Sequence, residues 1–76
     1  MFNNSIKKKL RQRFFVTVRV GHDFDGVLLG ENKDEAWFGG CTAYPPDADP
    51  QKLTGEVYIR HDNVAITQKL PPDVNR

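Results

Sequence analysis

Gly55-Glu56-Val57-Tyr58-Ile59-Arg60-His61-Asp62-Asn63-Val64-Ala65-Ile66 decides the fold of this chain, because two strand patterns flank one tight polar turn. Apolar and polar side chains alternate through residues 57–60, which is the period of a strand with one buried face. The turn formers of residues 61–63 follow at once, and a second apolar strand continues from Val64. The stretch therefore predicts a hairpin that closes a small antiparallel β-barrel.

The same kind of pattern predicts three further strands upstream. The predicted strands cover residues 14–20, 24–29, 35–44, 53–60 and 64–70. Gly26 and the pair Gly39-Gly40 lie inside two of these strands, where residues without a side chain predict bulges or sharp bends. Because the prolines of residues 45–52 cannot donate to a sheet ladder, that segment is predicted to be an exposed loop.

The predicted fold class is all-β, with a five-stranded antiparallel small barrel in residues 14–70. A short basic N-terminal helix or arm is predicted in residues 1–13, with N-cap side chains from Asn3, Asn4 and Ser5, and a flexible tail in residues 71–76. The predicted core consists of inward-facing apolar side chains, namely Val16, Val18, Val20, Phe24, Leu28, Val57, Ile59, Val64 and Ile66.

Charge is unevenly distributed, although the formal net charge is only +1. Residues 1–20 carry six lysines and arginines and no acid, whereas residues 21–50 carry seven acids and one lysine. A polyanion-binding segment is predicted at the cations that no acid separates, namely Lys7, Lys8, Lys9, Arg11 and Arg13. Its partner would be DNA, RNA or an acidic protein surface, and the alternative is a solvated helix face.

Composition limits the ways in which this chain can be stabilised. A chain of 76 residues forms one domain and buries only about 60% of its unfolded surface, so oligomerisation would help it. Cys41 is the single cysteine, which excludes an intrachain disulfide and favours a small buried residue over a reactive thiol. No apolar run could span a membrane and no signal peptide precedes the basic segment, which predicts a soluble protein of a reducing compartment.

Catalytic and metal chemistry find no support in the residue pattern. His22, Asp23 and Asp25 could suggest a metal or acid–base site, but neighbouring side chains alternate in direction and no third ligand follows. No nucleophile with a base and an orienting group can be assembled elsewhere. The sequence predicts no enzyme, no cofactor, no metal and no small-molecule substrate.

The layout resembles the Sm-like family of small β-barrels and, more broadly, SH3-like barrels. The family's first motif, a turn glycine, an apolar residue, then a glycine and an apolar residue in the second strand, is matched by Gly21, Phe24, Gly26 and Leu28. Ile59-Arg60 followed by Asn63-Val64 resembles the second motif, in which an apolar residue and Arg precede a tight turn and a last apolar strand. The resemblance covers residues 6–70 in layout and implies a ring that binds RNA.

Two features depart from the family's pattern. His61 follows Arg60 where a glycine is usual, and residues 32–35 contain no Asp-x-apolar-Met-Asn run, which in the family places RNA-contacting groups. The proline-rich insert and the Gly-Glu-Val-Tyr-Ile ending are also similar to very short proteins of tailed bacteriophages of actinobacteria. That likeness implies a virion or head accessory component, located in the cytoplasm or in an assembled virion.

Contacts with a partner or with RNA are predicted at Trp37, Tyr44, Arg60, His61 and Asn63. Alternation allows only one of Trp37 and Phe38 to face the core, and aromatic residues are enriched at interfaces, so we predict Trp37 at an interface. Residues 60–63 form a polar turn at the barrel mouth, where an Sm-like ring would present its pore-side loop. The alternative is that this turn serves only hairpin geometry.

Three functions fit these observations. The first is a non-enzymatic structural or assembly protein of a phage, which docks by its barrel surface and basic arm or joins copies of itself through edge strands. The alternative is an Sm-like oligomeric RNA-binding protein. The third is a regulator that binds a peptide of another protein in an SH3-like groove. None of them requires a membrane.

Overall fold

A computed structural model describes residues 10–71 of the chain. The elements are β1 (Arg13–Val18), β2 (Asp23–Glu31), β3 (Glu35–Tyr44), β4 (Gln51–Lys52), β5 (Val57–Arg60), a 3₁₀ turn (His61–Asn63) and β6 (Val64–Lys69). These elements confirm the all-β prediction and the turn that separates the last two strands. Within this range no helix has the length and apolarity needed to cross a membrane.

All six strands pair antiparallel in one strongly bent sheet of order β4-β3-β2-β1-β6. One edge of β3 pairs with β2, whereas the other edge carries β5 along Glu35–Phe38 and then β4 along Thr42–Ala43. Among the described strands no ladder joins β5 to β6. The predicted hairpin of the last two strands is therefore wrong, as is the predicted number of five strands. The barrel is partly open, and β5 and β6 flank its gap.

Residues 10–13 do not form the predicted helix. Leu10 and Arg11 form a turn, and Arg13 already belongs to β1. Arg11 has a φ of 62°, which a right-handed helix excludes. The Arg11 N–H donates to the Leu28 carbonyl at 2.8 Å and the Leu28 N–H donates to the Gln12 carbonyl at 3.0 Å, so this segment follows β2 instead. The rest of the predicted arm, residues 1–9, and residues 72–76 of the predicted tail lie outside the described residues.

The core lies inside the bend of the sheet. Its buried members are Phe14, Val16, Phe24, Leu28, Ala36, Phe38, Cys41 and Ile59. The rings of Phe24 and Phe38 meet edge to face with centroids 5.3 Å apart. Three more of the predicted core residues, Val18, Val57 and Val64, are half-buried against this cluster. Cys41 is fully buried, which confirms the prediction that its side chain fills the core. Burial, and next the nearby Asp25 carboxylate, raise the pKa of its thiol.

Two predicted core residues, Val20 and Ile66, are instead exposed, by 78% and 56%. Val20 lies beyond the end of β1, so the strand alternation no longer applies to it. In β6, Ala65 is an extra residue opposite the Thr17–Val18 step of β1. Such a bulge reverses the alternation that follows, and Ile66, paired with Thr17, therefore faces outward.

Two glycines make the bend of β2 and β3 possible. A Cβ on Gly26 would lie 2.5 Å from the Cys41 sulfur, so no side chain fits there. Gly40 has a φ of 58° and lies in β3 where the ladder with β2 shifts register between Asp25 and Val27. The bends predicted at these glycines are confirmed.

The proline-rich segment is a loop up to Pro50, as predicted, but its last two residues form β4. This strand lies on the sheet edge, where short strands are common, and both of its residues are exposed. The fourth predicted strand is shorter than expected, because β5 begins only at Val57.

Candidate nucleic-acid interface

Asn63 fastens the turn between β5 and β6 to the end of β1. Its side-chain amide donates to the Val20 carbonyl and accepts from the Val20 N–H, both at 2.9 Å. The backbone carbonyl of Asn63 accepts a hydrogen bond from the Arg19 backbone N–H at 2.9 Å. The Asn63 side chain therefore serves the fold, which favours the turn-geometry alternative for this residue.

His61 faces the loop between β2 and β3. Its backbone N–H donates to the Asp34 carbonyl at 2.9 Å. Its Nε2 lies 2.8 Å from the Asn32 carbonyl and 3.2 Å from a Glu31 carboxylate oxygen. The Asn32 side chain in turn accepts the backbone N–H groups of Asp34 and Glu35, both at 2.8 Å. His61, which stands where the family pattern has a glycine, thus joins two loops at this end of the barrel.

Arg60 and Asp62 are the turn's outward residues. Their side chains lie 3.4 Å apart and are 65% and 75% exposed. An ion pair this exposed contributes about 0–1 kcal/mol at most, so the Arg60 guanidinium can exchange partners at little cost. Of the four turn residues, Arg60 is the one whose cationic side chain is available to an anionic ligand.

A groove of about 540 Å³ opens beside this turn. The residues that line it are Arg19, Val20, Tyr58, Ile59, Arg60, Asp62 and Asn63. Two of the sequence-predicted residues, Arg60 and Asn63, therefore lie together. The charged residues of the lining are two arginines and one aspartate, which leave the groove with an excess of positive charge.

Tyr58 connects this groove to Trp37. The two rings stack with centroids 5.5 Å apart and planes inclined by 29°. Trp37 packs against Gly30, where a Cβ would come within 2.7 Å of the indole ring. The Tyr58 hydroxyl donates to the Glu56 carboxylate at 2.8 Å, and this hydrogen bond raises the pKa of the phenol. Phe38 is buried and Trp37 faces outward, which confirms that only one of these neighbours enters the core.

Tyr44 does not line the groove. It lies at the end of β3, where its hydroxyl donates to the Asp25 carboxylate at 3.1 Å and its ring packs 5.5 Å from that of Phe15. Partial burial and this hydrogen bond raise the pKa of Tyr44. The Arg13 guanidinium lies 3.5 Å from the same carboxylate and donates to the Gly40 carbonyl at 3.3 Å.

The predicted polyanion-binding segment is described in part. Arg11 lies in the turn before β1, and Arg13 is engaged with Asp25. Lys7, Lys8 and Lys9 lie outside the described residues. Polyanion binding by the five cations stays a prediction.

Acidic residues that could suggest a metal site serve the backbone instead. Asp23 accepts the Val18 N–H at 3.0 Å, and Asp25 accepts the Thr42 N–H at 3.2 Å. Across residues 10–71 no three His, Cys, Asp or Glu side chains gather as metal ligands would.

Two groove residues, Arg19 and Tyr58, were missing from the predicted site. The alternation of β5 contained the signal for Tyr58, because it occupies the face opposite the buried Ile59. No local signal could place Arg19 there, since its position depends on the Asn63 contact with the end of β1.

Solved structures match this arrangement over nearly the whole chain. A heptameric archaeal Sm protein superposes with a TM-score of 0.73 at 18% identity, over 88% of this chain and 97% of that one. The chain has the Sm-like fold. The P. aerophilum SmAP1 heptamer gives a TM-score of 0.75 at 16% identity, over 95% and 97% of the two chains. The Pyrococcus abyssii Sm protein in complex with a uridine heptamer gives a TM-score of 0.71 at 20% identity, over 88% of this chain and 94% of that one.

No family model and no curated protein matches the sequence. The Sm-like fold expected from the sequence is nevertheless confirmed by these superpositions. That the chain is not an enzyme stays a prediction of the sequence.

Proposed function

We propose that this protein is an Sm-like RNA-binding protein that assembles into a ring. The observation that carries the proposal is the match to Sm proteins over at least 88% of the chain, two of which are heptamers and a third of which was solved with a uridine heptamer. No comparison supports a role in a phage particle, and we do not propose one.

The two strands that flank the gap of the barrel support assembly. Among the described strands, β5 pairs only with β3 and β6 pairs only with β1, so each has one free edge. A free edge presents unpaired backbone groups to another chain. If β6 of one copy adds to β5 of the next, those groups pair. Repeating this contact gives a closed ring if the rotations between successive copies add up to a full turn.

Arg60 is the RNA contact that we propose at the turn. Its guanidinium is exposed and forms a weak ion pair with Asp62, so a phosphate can displace that partner. His61 and Asn63 hold the loops around Arg60 through Asn32 and Val20, and contact of these two residues with RNA stays a prediction. The basic residues Lys7, Lys8, Lys9, Arg11 and Arg13 would add sequence-independent attraction.

The test combines light scattering after size exclusion with fluorescence anisotropy of a labelled uridine oligomer at low and moderate salt. We expect an assembly of several copies and binding that weakens steeply with salt. Arg60→Ala should weaken binding, whereas Lys52→Ala, which removes the same charge from the distant strand β4, should change it little. A monomer at high protein concentration that does not bind the oligomer would refute the proposal.

A further inference from the structure

Most of the large apolar side chains that this fold leaves exposed lie beside the two free edges of its sheet. Among residues 10–71 the exposed ones are Val20, Leu29, Tyr58 and Ile66. Tyr58 belongs to β5 and Ile66 to β6, the strands that flank the gap, and Val20 lines the groove beside β5. Apolar side chains beside unpaired backbone groups form a surface that another chain can cover.

We propose that a second copy of this chain covers the groove beside β5, and that Ile66 of its β6 packs on the ring of Tyr58. The inference rests on the assembly part of the proposed function and requires no RNA. It adds the pair of side chains that fixes the register between two copies.

The bulge at Ala65 is the feature that presents Ile66 to a neighbour. Val64 is half-buried against the core, and in a regular strand Ile66 would face the same way. Because Ala65 is an extra residue opposite β1, Ile66 pairs with Thr17 and faces away from the core. The bulge therefore gives the free strand β6 an apolar, β-branched side chain on its outer face, where it is 56% exposed.

Tyr58 lies on the matching face of β5. Its neighbour Ile59 is buried, so Tyr58 also points away from the core. When β6 of one copy pairs with β5 of the next and both outer faces lie on the same side, the two strands are neighbours in one continuous sheet. Directly opposite side chains on one face then have Cβ atoms about 4.5–5.5 Å apart, and an aromatic residue opposite a β-branched one is a favourable pair.

The Tyr58 ring is held ready for this contact. One of its faces stacks on Trp37 with centroids 5.5 Å apart, and its hydroxyl donates to Glu56 at 2.8 Å. The side chain is nevertheless 56% exposed. Because the ring is already fixed, it loses little conformational freedom when Ile66 of the second copy packs on it.

Charges next to Tyr58 make this register the favourable one. A slip of one residue would place Ile66 opposite a side chain of the inner face, because the faces alternate with a period of two. A slip of two residues would place Ile66 opposite Glu56 or Arg60, which carry charges. Only the pair with Tyr58 brings two exposed apolar side chains of β5 and β6 together.

Disulfide trapping in the full-length protein tests the register. Tyr58→Cys combined with Ile66→Cys should give covalent oligomers on mild oxidation, visible as a ladder on a non-reducing gel. Tyr58→Cys combined with Gln68→Cys is the matched control, because Gln68 lies on the same face of β6 two residues away. The control should form few cross-links, since a disulfide requires Cβ atoms within about 4.5 Å. Cys41 is fully buried and can stay in both variants.

Threonine substitutions test the affinity between copies. Ile66→Thr and Tyr58→Thr keep a side chain that strands favour but remove the apolar contact, so each should weaken association by up to about fivefold, the scale of one cross-strand pair. The double variant should be little weaker than either single variant. Leu29→Thr is the control, because Leu29 is exposed on β2, which is paired on both sides. Sedimentation equilibrium measures association, and circular dichroism establishes that each variant is folded.

The outcomes separate this inference from the proposed function. If the copies assemble but the two double-cysteine variants cross-link equally, or Ile66→Thr and Tyr58→Thr associate like Leu29→Thr, the contact is overturned while assembly stands. If the cross-links form as expected and the uridine oligomer does not bind, the contact stands and the RNA-binding part of the proposed function fails. A protein that stays monomeric at high concentration and forms no cross-link overturns both.

Discussion

The inner and outer faces of the paired strands β3 and β5 have very different surroundings. On the inner face, Phe38 and Ile59 are buried in the core. On the outer face, their sequence neighbours Trp37 and Tyr58 stack on each other beside an open groove. Adjacent residues of one strand thus have separate tasks, because successive side chains point to opposite faces. Stability should depend on one face and ligand binding on the other.

Replacing the adjacent aromatic residues of β3 tests this division most strongly. Phe38→Ala should lower the free energy of unfolding by about 3–5 kcal/mol, since it empties a fully buried site. Trp37→Ala should lower it by roughly half as much or less, because the indole is only half-buried. Urea denaturation followed by circular dichroism measures both. Equal losses would contradict the separation of the two faces.

Gly26→Ala tests how tightly the inner face is packed. The new Cβ would meet the Cys41 sulfur at 2.5 Å, and overpacking of this kind costs about 1–3 kcal/mol. Cys41→Ala removes the clashing atom, so Gly26→Ala should cost less in that background. Thermal and urea denaturation of the two single variants and the double variant give the coupling. Strictly additive effects would show that the sulfur is not the obstacle.

Asn63→Ala tests the inward side of the turn. Loss of both side-chain hydrogen bonds to Val20 should cost about 1–2 kcal/mol. Asn63→Asp keeps the acceptor but places a carboxylate against the Val20 carbonyl, so it should not restore the parental stability. Urea midpoints of the three proteins provide the comparison. Full stability in Asn63→Asp would indicate that the donated bond contributes nothing.

Asp62→Ala should have the smallest effect on stability, below about 0.5 kcal/mol, because its pair with Arg60 is exposed. The same substitution should raise the affinity for RNA, because removal of the carboxylate frees Arg60 for a phosphate. The same uridine oligomer titration would reveal tighter binding. Weaker binding by this variant would contradict the role given to Arg60.

Local pattern was enough for most of the strands and for much of the core. The alternation in residues 57–60, the turn of 61–63 and the two bends at glycines all follow from short stretches of chain, and each is present. Val16, Phe24, Leu28 and Ile59 were predicted inside and are buried. These features depend on residues that lie within a few positions of each other.

Features that arise from pairing between distant strands escaped sequence reasoning. The bulge at Ala65 exists only against β1, and it turns Ile66 outward. The strand β4 exists only because Gln51–Lys52 meets the edge of β3. Arg19 joins Tyr58 and Arg60 only because the turn is fastened to the end of β1.

The bonds between Asn63 and Val20 also bear on how the chain folds. The two residues are 43 positions apart, so the loop between them must close before these bonds can form. The local hairpins of β1 with β2 and of β2 with β3 can come first, whereas long-range pairing such as that of β1 with β6 slows folding. Docking of β6 on β1 would then be the late step, and its release the first step of unfolding. A copy whose β6 is paired with a neighbour would lose that route and keep its folded state for longer.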